Sequence, residues 1–196
     1  MLKIGLTGNI GSGKSLVAEI FRVCGVPIYT ADKEAKRLMN LDGTIRRIQS
    51  VFGDEVVSGG AIDNKKLARI VFSDPKKLKL LNEIIHPLVH RDFDEWCHRN
   101  ATSAFVLYEA AIIFESGYAK NLDAVILVTA PEELRIQRVM SRDGSNHDEV
   151  ERRIRNQLDE NIKREKADYI INNDGTEMLI PQVLDAISFV ERLRQL

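Results

Sequence analysis

The sequence predicts an α/β protein with a doubly wound parallel sheet of about five strands, a helical insertion and a helical lid. Three observations predict this fold. Apolar runs alternate with segments of helical periodicity, a glycine-rich loop joins the first run to the first such segment, and one long interval shows helical periodicity alone. Alternating strands and helices are typical of a doubly wound sheet.

Five apolar runs are predicted to be the strands of the sheet. Each is rich in Val, Ile or Leu without strict alternation, which is typical of strands that are buried on both faces. The predicted strands are Lys3–Thr7, Val26–Tyr29, Ala104–Tyr108, Ala124–Thr129 and Asp168–Ile171.

Helical segments are predicted between and after these strands. The first follows the glycine-rich loop, and Pro131 precedes another, as prolines often do at helix starts. A long charged segment and the C-terminal segment complete the set. The predicted segments are Lys14–Cys24, Glu132–Arg142, Asp148–Lys166 and Thr176–Leu196.

The interval from about Asp32 to Asn100 is predicted to be a helical insertion at the rim of the sheet. Its apolar residues recur at helical spacing, as in Leu67, Ile70 and Val71, and it contains no convincing strand. We therefore assign residues 1–31, 101–138 and 167–196 to the core, residues 32–100 to the insertion and residues 139–166 to the lid.

The composition excludes several classes of partner. With 28 basic and 29 acidic residues, the chain has no overall field that would attract nucleic acid or an anionic membrane. No apolar run approaches the ~20 residues of a membrane helix. Cys24 and Cys97 match no metal-ligand spacing, and we expect both to pack as small apolar residues in a reducing compartment. We expect a cytoplasmic protein that is a monomer or a weak homo-oligomer.

The loop Gly8–Ser15 matches the phosphate-binding pattern G-x-x-x-x-G-K-[ST], with a predicted strand before it and a helix after it. Glycines let backbone N–H groups surround phosphates, and the helix start adds a positive end. Lys14 is predicted to reach the β and γ phosphates, and Ser15 to bind Mg²⁺. The predicted ATP-binding residues of this loop are Asn9, Ile10, Gly11, Ser12, Gly13, Lys14, Ser15 and Leu16.

This motif alone fits a GTPase, a motor ATPase or a kinase. The guanine-reading sequence Asn-Lys-x-Asp is missing, because Asn64-Lys-Lys-Leu67 lacks the aspartate, and no D-x-x-G switch or ABC-type signature follows. These features favour a small-molecule kinase that uses ATP and Mg²⁺. A nucleoside-monophosphate or other small-metabolite kinase and a non-catalytic nucleotide sensor remain alternatives.

Two carboxylates are predicted at the carboxyl edge of the sheet, where ligands of α/β proteins bind. Asp32 follows the second strand; it would either orient or deprotonate an acceptor hydroxyl, or simply cap the next helix. Glu109 ends the third strand among apolar residues. Burying a charge there without a partner would cost free energy, so we expect Glu109 to hold Mg²⁺.

Three arginines follow Pro131 at helical spacing. Arg138 and Arg142 lie near the expected lid hinge and are predicted to contact phosphate, whereas Arg135 is predicted to be a solvated residue that pairs with Glu132. A lid that closes over ATP would exclude water from the transfer.

His86 and His90 are spaced four residues apart but lack the glutamate of a zinc-binding H-E-x-x-H helix. Pro87 is expected to disturb or begin a helix at this point. We therefore predict no metal site here, but a kink at His86-Pro87 would shape an acceptor pocket.

Together these segments resemble the dephospho-CoA kinase family. The matching stretches run in the family's order over nearly the whole chain. They are IGLTGNIGSGKS at Ile4–Ser15, GVPIYTAD at Gly25–Asp32, LNEIIHP at Leu81–Pro87, IIFE at Ile112–Glu115, QRVMSRD at Gln137–Asp143 and ADYIINNDG at Ala167–Gly175.

The resemblance implies transfer of the ATP γ-phosphoryl group to the ribose 3′-hydroxyl of dephospho-CoA. It makes Asp32 the catalytic aspartate and places Arg138 near the phosphates. It also implies that Asn82 and His86 bind the acceptor, and that Asn173 and Gly175 approach the adenine of ATP. Catalytic roles then fall to Asp32, Lys14 and Arg138.

The sequence departs from the family's pattern at two places. The third strand commonly ends in Asp and is followed by a Pro, where this chain has Glu109 and Ala111. Because Glu is one methylene longer, direct and water-mediated Mg²⁺ contact both remain open. The paired aspartates before the second helix are represented by Asp32 alone.

Overall fold

The computed structural model describes residues 1–195 of the 196-residue chain. The chain divides into two compact units: Met1–Thr30 with Asn100–Leu196, and Ala31–Arg99. Its strands are β1 Leu2–Thr7, β2 Ile28–Thr30, β3 Val57–Ser58, β4 Ala61–Ile62, β5 Phe105–Glu109, β6 Ala124–Thr129 and β7 Tyr169–Asn172. Its helices are α1 Lys14–Val23, α2 Ala31–Met39, α3 Asp42–Phe52, α4 Asn64–Phe72, α5 Pro75–Arg99, α6 Glu132–Asp143, α7 His147–Arg155, α8 Glu160–Lys166 and α9 Leu179–Leu193.

The first unit contains the predicted parallel sheet. Its five strands lie in the order β2-β5-β1-β6-β7, and every neighbouring pair is parallel. The predicted fold class is therefore confirmed, and each predicted strand differs from the observed one by two residues or fewer at either end. All residues of β5 and β6 are buried, which explains why these runs show no alternation of polar and apolar residues.

Helices α1 and α9 pack on one face of this sheet. Val17 and Phe21 of α1 and Val183 and Val190 of α9 share a buried cluster with side chains of β1, β5, β6 and β7, including Ile126. Truncating a fully buried aromatic such as Phe21 to alanine would cost about 3–5 kcal/mol of stability. This packing fixes the position of α1, whose first residues are the last residues of the phosphate loop. The predicted helix Thr176–Leu196 is shorter at both ends, and its residue 196 lies outside the described residues.

The second unit is mainly helical but contains a short antiparallel hairpin. Strands β3 and β4 pair Val57 with Ile62 and turn through Gly59 and Gly60, both with positive φ. The prediction of no strand in this interval was therefore wrong, because two-residue strands are too short to give a periodic signal. Asp63 then caps α4 by accepting hydrogen bonds from the backbone N–H groups of Lys65 and Lys66.

Proline 87 lies inside the 25-residue helix α5 and does not begin it. Because Pro87 has no N–H, the helical hydrogen bond to the carbonyl of Glu83 cannot form there. Helix α5 therefore continues through Pro87 without that one hydrogen bond.

The charged segment that follows α6 forms two helices, where one long charged stretch was predicted. Asn146 and Glu149 form a capping box at the start of α7, and Asp159 caps α8 by accepting from the backbone N–H of Asn161. The turn at residues 156–159 therefore interrupts the predicted segment. Leu158 and Gln157 of this turn contact the phosphate loop.

Cys97 is buried as predicted, but Cys24 is exposed at the end of α1, so that part of the prediction was wrong. In residues 1–195, no helix has the length and apolar character needed to cross a membrane.

Candidate active site

The phosphate loop lies at the middle of the sheet's carboxyl edge because it follows β1, the central strand. Strand β5 is the neighbour of β1, and its last residue, Glu109, is in register with Leu6. The fold therefore brings Glu109 beside the start of the loop. The proximity of Glu109 and the loop was predicted from the sequence, because the carboxyl ends of parallel strands lie at one edge of the sheet.

Two glycines of the loop adopt backbone conformations that other residues rarely adopt. Gly11 and Gly13 have φ values of 81° and 86°. A Cβ atom on Gly11 would overlap the carbonyl oxygen of Arg135, and one on Gly13 would overlap the amide nitrogen of Asn173. The loop is thus packed tightly against two neighbouring segments, which fixes its curvature.

Three N–H groups of the loop already have partners within the protein. Ser12 N donates to the carbonyl of Asn9 at 3.0 Å, and Leu16 N donates to the carbonyl of Gly13 at 3.0 Å. Ile10 N donates to Oε1 of Gln157 at 2.8 Å. These three N–H groups therefore donate within the protein, whereas those of Lys14 and Ser15 lie in the first turn of α1, where helix geometry supplies no partner.

Two buried polar atoms of the loop lack a hydrogen-bond partner among the described residues. They are Oδ1 of Asn9 and Oγ of Ser12. Buried polar atoms usually have a partner in the protein, in water or in a ligand. Their position in this loop fits a site that a polar ligand completes.

Lys14, Ser15 and Glu109 form a charged group at this edge. Lys14 Nζ lies 2.5 Å from Glu109 Oε1, and Ser15 Oγ lies 3.4 Å from the same oxygen. The predicted phosphate-binding lysine and both predicted metal-binding residues are therefore brought together.

The donor set at this point fits Mg²⁺. A serine hydroxyl and a carboxylate are the hard oxygen ligands that Mg²⁺ prefers, and magnesium sites of kinases commonly use one or two protein ligands together with substrate phosphates. Within residues 1–195, no group of three or more His, Cys, Asp or Glu side chains is placed to hold a metal ion.

Arg138 lies against the phosphate loop from the side of α6. Its Nη1 donates to the carbonyl of Gly11 at 3.4 Å, and its Nη2 donates to Asn173 Oδ1 at 3.5 Å. Asn173 in turn donates from Nδ2 to the carbonyl of Ser12 at 2.7 Å. The two residues, predicted from distant parts of the sequence, therefore meet at the loop.

Arg135 is buried, so the prediction of a solvated side chain was wrong. It is 3% exposed, and its Nε donates to the carbonyl of Ala130 at 3.0 Å. The predicted pair with Glu132 is present at 3.2 Å. The backbone of Arg135 also packs against Gly11, which explains why this turn of α6 is buried.

Arg142 is exposed at the end of α6 and forms a two-point ion pair with Asp143. The Arg142 guanidinium lowers the pKa of the Asp143 carboxyl. The three predicted arginines therefore differ in environment: Arg135 is buried, Arg138 is at the loop, and Arg142 faces solvent.

Gly175 has a φ of 87° and open space around the position of a Cβ atom. It follows Asp174, whose carboxylate accepts hydrogen bonds from the hydroxyl and the backbone N–H of Thr176 and has a lowered pKa as a result. The loop that the resemblance associates with adenine is thus a tight turn directly after β7.

In the second unit, Asp32 is an exposed residue in the first turn of α2. The helix begins at Ala31, so Asp32 is inside it and not at the capping position. Asp32 follows Thr30 by two residues, and Thr30 is the β2 residue in register with Glu109.

The same unit contains a wide-open surface cavity of about 450 Å³, lined by residues of the first half of α5. Two predicted acceptor residues, Asn82 and His86, line it together with Leu78, Glu83 and Pro87. Burial lowers the pKa of His86, which favours the neutral imidazole. The cavity therefore offers a side-chain amide, an uncharged ring and apolar surface.

Sequence reasoning missed a set of residues that surround the loop. Gln157 contacts the loop directly, Glu115 is linked to it through Leu158, and Lys163 is linked to it through Glu115. Lys163 gave no signal because charged residues in a charged helical segment are usually solvated, and Glu115 gave none because its partners lie far along the chain.

Comparisons with known proteins identify relatives over the whole length of the chain. Residues 2–178 match the family model described as dephospho-CoA kinase. A dephospho-CoA kinase of Bacteroides fragilis is 40% identical over 190 residues, which cover 96% of this chain and 93% of the relative.

Solved structures show the same likeness. A Thermus thermophilus protein, TT1252, has a TM-score of 0.87 and 39% identity, covering 96% of both chains. A dephospho-CoA kinase from Campylobacter jejuni has a TM-score of 0.70 and 28% identity, covering 97% of both chains.

Proposed function

The chain belongs to the dephospho-CoA kinase family, and on that premise we propose how its residues divide the work of the reaction. The activity is ATP-dependent phosphorylation of dephospho-CoA, the step that completes coenzyme A. The observation that carries this conclusion is the family match over residues 2–178, which includes both the phosphate loop and the helical unit.

The phosphate loop binds the donor in this proposal. The free N–H groups at the start of α1 hold phosphate oxygens, and Lys14 neutralises charge on the β and γ phosphates. Arg138, which already contacts the loop carbonyl of Gly11, adds a second cation beside the transferred group. Phosphoryl transfer needs little covalent chemistry from the protein, so positioning and charge stabilisation supply most of the catalysis.

Ser15 and Glu109 would hold Mg²⁺ in the same proposal. Their oxygens are neighbours at the edge of the sheet, which supports the assignment. When bound, the ion would neutralise charge on the nucleotide phosphates.

Asp32 orients the ribose 3′-hydroxyl of the acceptor and accepts its proton as the hydroxyl oxygen attacks the γ-phosphorus. The bond from that phosphorus to the bridging oxygen breaks, and ADP leaves. The exposed position of Asp32 in the first turn of α2 leaves the carboxylate accessible to a substrate. A carboxylate within hydrogen-bonding distance of the acceptor hydroxyl would act as a general base.

Asn82 and His86 bind the acceptor in the cavity beside α5. Its volume of about 450 Å³ lies in the usual range for small-molecule sites. A neutral His86 can donate one hydrogen bond and accept one, and the Asn82 amide can donate two and accept two, which suits the amides and hydroxyls of dephospho-CoA.

Asn173 and Gly175 would approach the adenine, and Arg142 would contact ATP when residues 139–166 close as a lid. Helix α8 is anchored by ion pairs from Arg135 to Glu160 and from Lys163 to Glu115, so we expect α7 to move most. The proposed domain division keeps residues 32–100 as the acceptor-binding part.

A panel assay tests the proposed acceptor. The chain is incubated with Mg-ATP and, separately, dephospho-CoA, AMP, CMP or shikimate, and ADP and phosphorylated products are measured by mass spectrometry. Among these four acceptors, we expect only dephospho-CoA to be phosphorylated. Product with AMP, CMP or shikimate in its place would indicate another small-metabolite kinase, and binding of ATP without its consumption would indicate a nucleotide sensor.

A further inference from the structure

A fully buried lysine lies outside the residues assigned to the reaction. The side chain of Lys163 on α8 is 0% exposed. Its Nζ lies 2.7 Å from Glu115 Oε1 and donates to the carbonyl of Ala111 at 3.4 Å. A buried charge is tolerated only when it is paired and hydrogen-bonded, so Lys163 and Glu115 form one structural unit.

Glu115 connects this pair to the turn between α7 and α8. The same Oε1 atom accepts a hydrogen bond from the backbone N–H of Leu158 at 3.1 Å. The carbonyl of Leu158 then accepts from Asn9 Nδ2 at 3.4 Å, and Oε1 of the adjacent Gln157 accepts from Ile10 N at 2.8 Å. The turn therefore contacts two successive residues of the phosphate loop.

Lys163 also reaches the strand that precedes the loop. The Ala111 carbonyl that accepts from Lys163 Nζ also accepts from Thr7 Oγ1, at 3.3 Å. Thr7 is the last residue of β1 and is buried. The Lys163–Glu115 pair is thus linked to the loop on both sides, at Thr7 and at Asn9 with Ile10.

We propose that Glu115 is a positioning residue that holds the first turn of the phosphate loop in its ATP-binding conformation, acting through Leu158 and Gln157, and that Lys163 is the buried counter-charge of Glu115. This inference rests on the proposed use of ATP as phosphoryl donor. Small displacements of a positioning contact reduce rates and affinities strongly, because the binding groups are pre-organised. Since the pair belongs to the first unit and is linked to the loop through the turn, we expect the effect on ATP and not on the acceptor.

Two double variants separate the charge of the pair from its contact with the turn. Lys163→Met with Glu115→Gln removes both charges but keeps the Oε1 acceptor for Leu158 N. Lys163→Met with Glu115→Leu removes the acceptor as well. Replacing both partners avoids an unpaired buried charge, which would destabilise either single variant.

The measurements are the Kd of ATP by calorimetry, the KM values of both substrates, and the thermal unfolding of each variant. We expect the Gln double variant to stay within about twofold of the wild type for ATP, and the Leu double variant to bind ATP about tenfold more weakly, as the loss of one well-placed hydrogen bond allows. The KM of dephospho-CoA should stay within about twofold of the wild-type value in both variants, because neither changes a residue that is proposed to bind the acceptor. Equal ATP affinities in the two folded double variants would overturn the proposal.

A third variant decides the question if the Leu double variant does not fold. Gln157→Ala removes the acceptor for Ile10 N without touching the buried pair, and Gln137→Ala, an exposed glutamine on α6, is its control. We expect a several-fold weaker Kd of ATP for Gln157→Ala alone, and an unchanged Kd would overturn the proposal. Because ATP binding needs no acceptor, these comparisons remain decisive even if the wild type fails to phosphorylate dephospho-CoA.

Discussion

Lys14 Nζ and Glu109 Oε1 lie 2.5 Å apart, and both side chains are largely buried at the carboxyl edge of the sheet. The ammonium group that should bind nucleotide phosphates is thus paired with the carboxylate that should bind Mg²⁺. A bound nucleotide would give Lys14 a new partner, and Mg²⁺ would give Glu109 one. The pair explains how the two charges can be kept at a buried site before substrate binds.

Glu109→Gln should weaken the use of Mg²⁺. The amide keeps the shape of the side chain but is neutral, so we expect the half-saturating Mg²⁺ concentration to rise about tenfold or more and kcat to fall. The measurement is activity against Mg²⁺ at saturating ATP. Glu133→Gln, an exposed residue in the first turn of α6, is the control, and an unchanged Mg²⁺ requirement in Glu109→Gln would remove Glu109 from the metal site.

Asp32→Asn should separate binding from turnover. The amide can still contact the acceptor hydroxyl but cannot accept its proton, so we expect kcat to fall about 10²–10⁴-fold. The Kd of ATP and the KM of dephospho-CoA should change by less than about threefold. Asp42→Asn, in the first turn of α3, is a matched control with near-normal kcat. A near-normal kcat in Asp32→Asn would disprove the role given to Asp32.

Gly13→Ala should abolish most of the activity, and Gly25→Ala should not. Both glycines have positive φ, of 86° and 84°, so both alanines carry a similar strain of about 1–2 kcal/mol. Only at Gly13 would the new Cβ overlap another group, the Asn173 amide, whereas Gly25 has open space. We expect kcat/KM for ATP to fall at least about 100-fold in Gly13→Ala. Equal effects of the two substitutions would show that contact with Asn173 does not shape the loop.

Asn82→Ala should act on the acceptor alone. Loss of a hydrogen bond in the cavity beside α5 is expected to raise the KM of dephospho-CoA about tenfold and leave the KM of ATP unchanged. Ser50→Ala on α3 serves as a control in the same unit, since its exposed hydroxyl bonds to the local carbonyl of Arg47. A parallel rise in both KM values would instead indicate damage to the fold.

His86 should make the folded state less stable in mild acid. Burial lowers the pKa of His86 in the folded protein below its unfolded value of about 6.5. The unfolded state then binds more protons as pH falls below that value, so the free energy of unfolding decreases. Urea unfolding at pH 7.5 and 5.5 should show a smaller decrease for His86→Gln than for the wild type. His90, whose pKa is lowered mainly by burial and further by His86, supplies part of the remaining decrease. An identical decrease in the free energy of unfolding of both proteins would contradict the lowered pKa of His86.

Periodicity and a single motif were sufficient to predict the sheet and its central loop. Buried strands such as β6 lack alternation because both faces are covered, and the carboxyl edge of a parallel sheet necessarily gathers Lys14, Ser15 and Glu109. Two-residue strands at Val57 and Ala61 give no such signal, so the hairpin was missed.

Charged side chains were the least predictable part of the site. Arg135 and Lys163 are buried although their helices are rich in charge, because each meets an acidic partner that is distant in sequence: Glu160 for Arg135 and Glu115 for Lys163. Helical spacing describes neighbours within one helix only. The pairing of separate helices and loops could be read only from the three-dimensional structure.

The position of the transferred phosphate on the product tests the central claim most directly. The chain is incubated with Mg-ATP and dephospho-CoA, and the product is examined by phosphorus and proton NMR. The account predicts a new phosphomonoester on the ribose 3′-oxygen, formed in equal amount to ADP. A phosphate at another oxygen, or ADP formed without a phosphorylated acceptor, would contradict it.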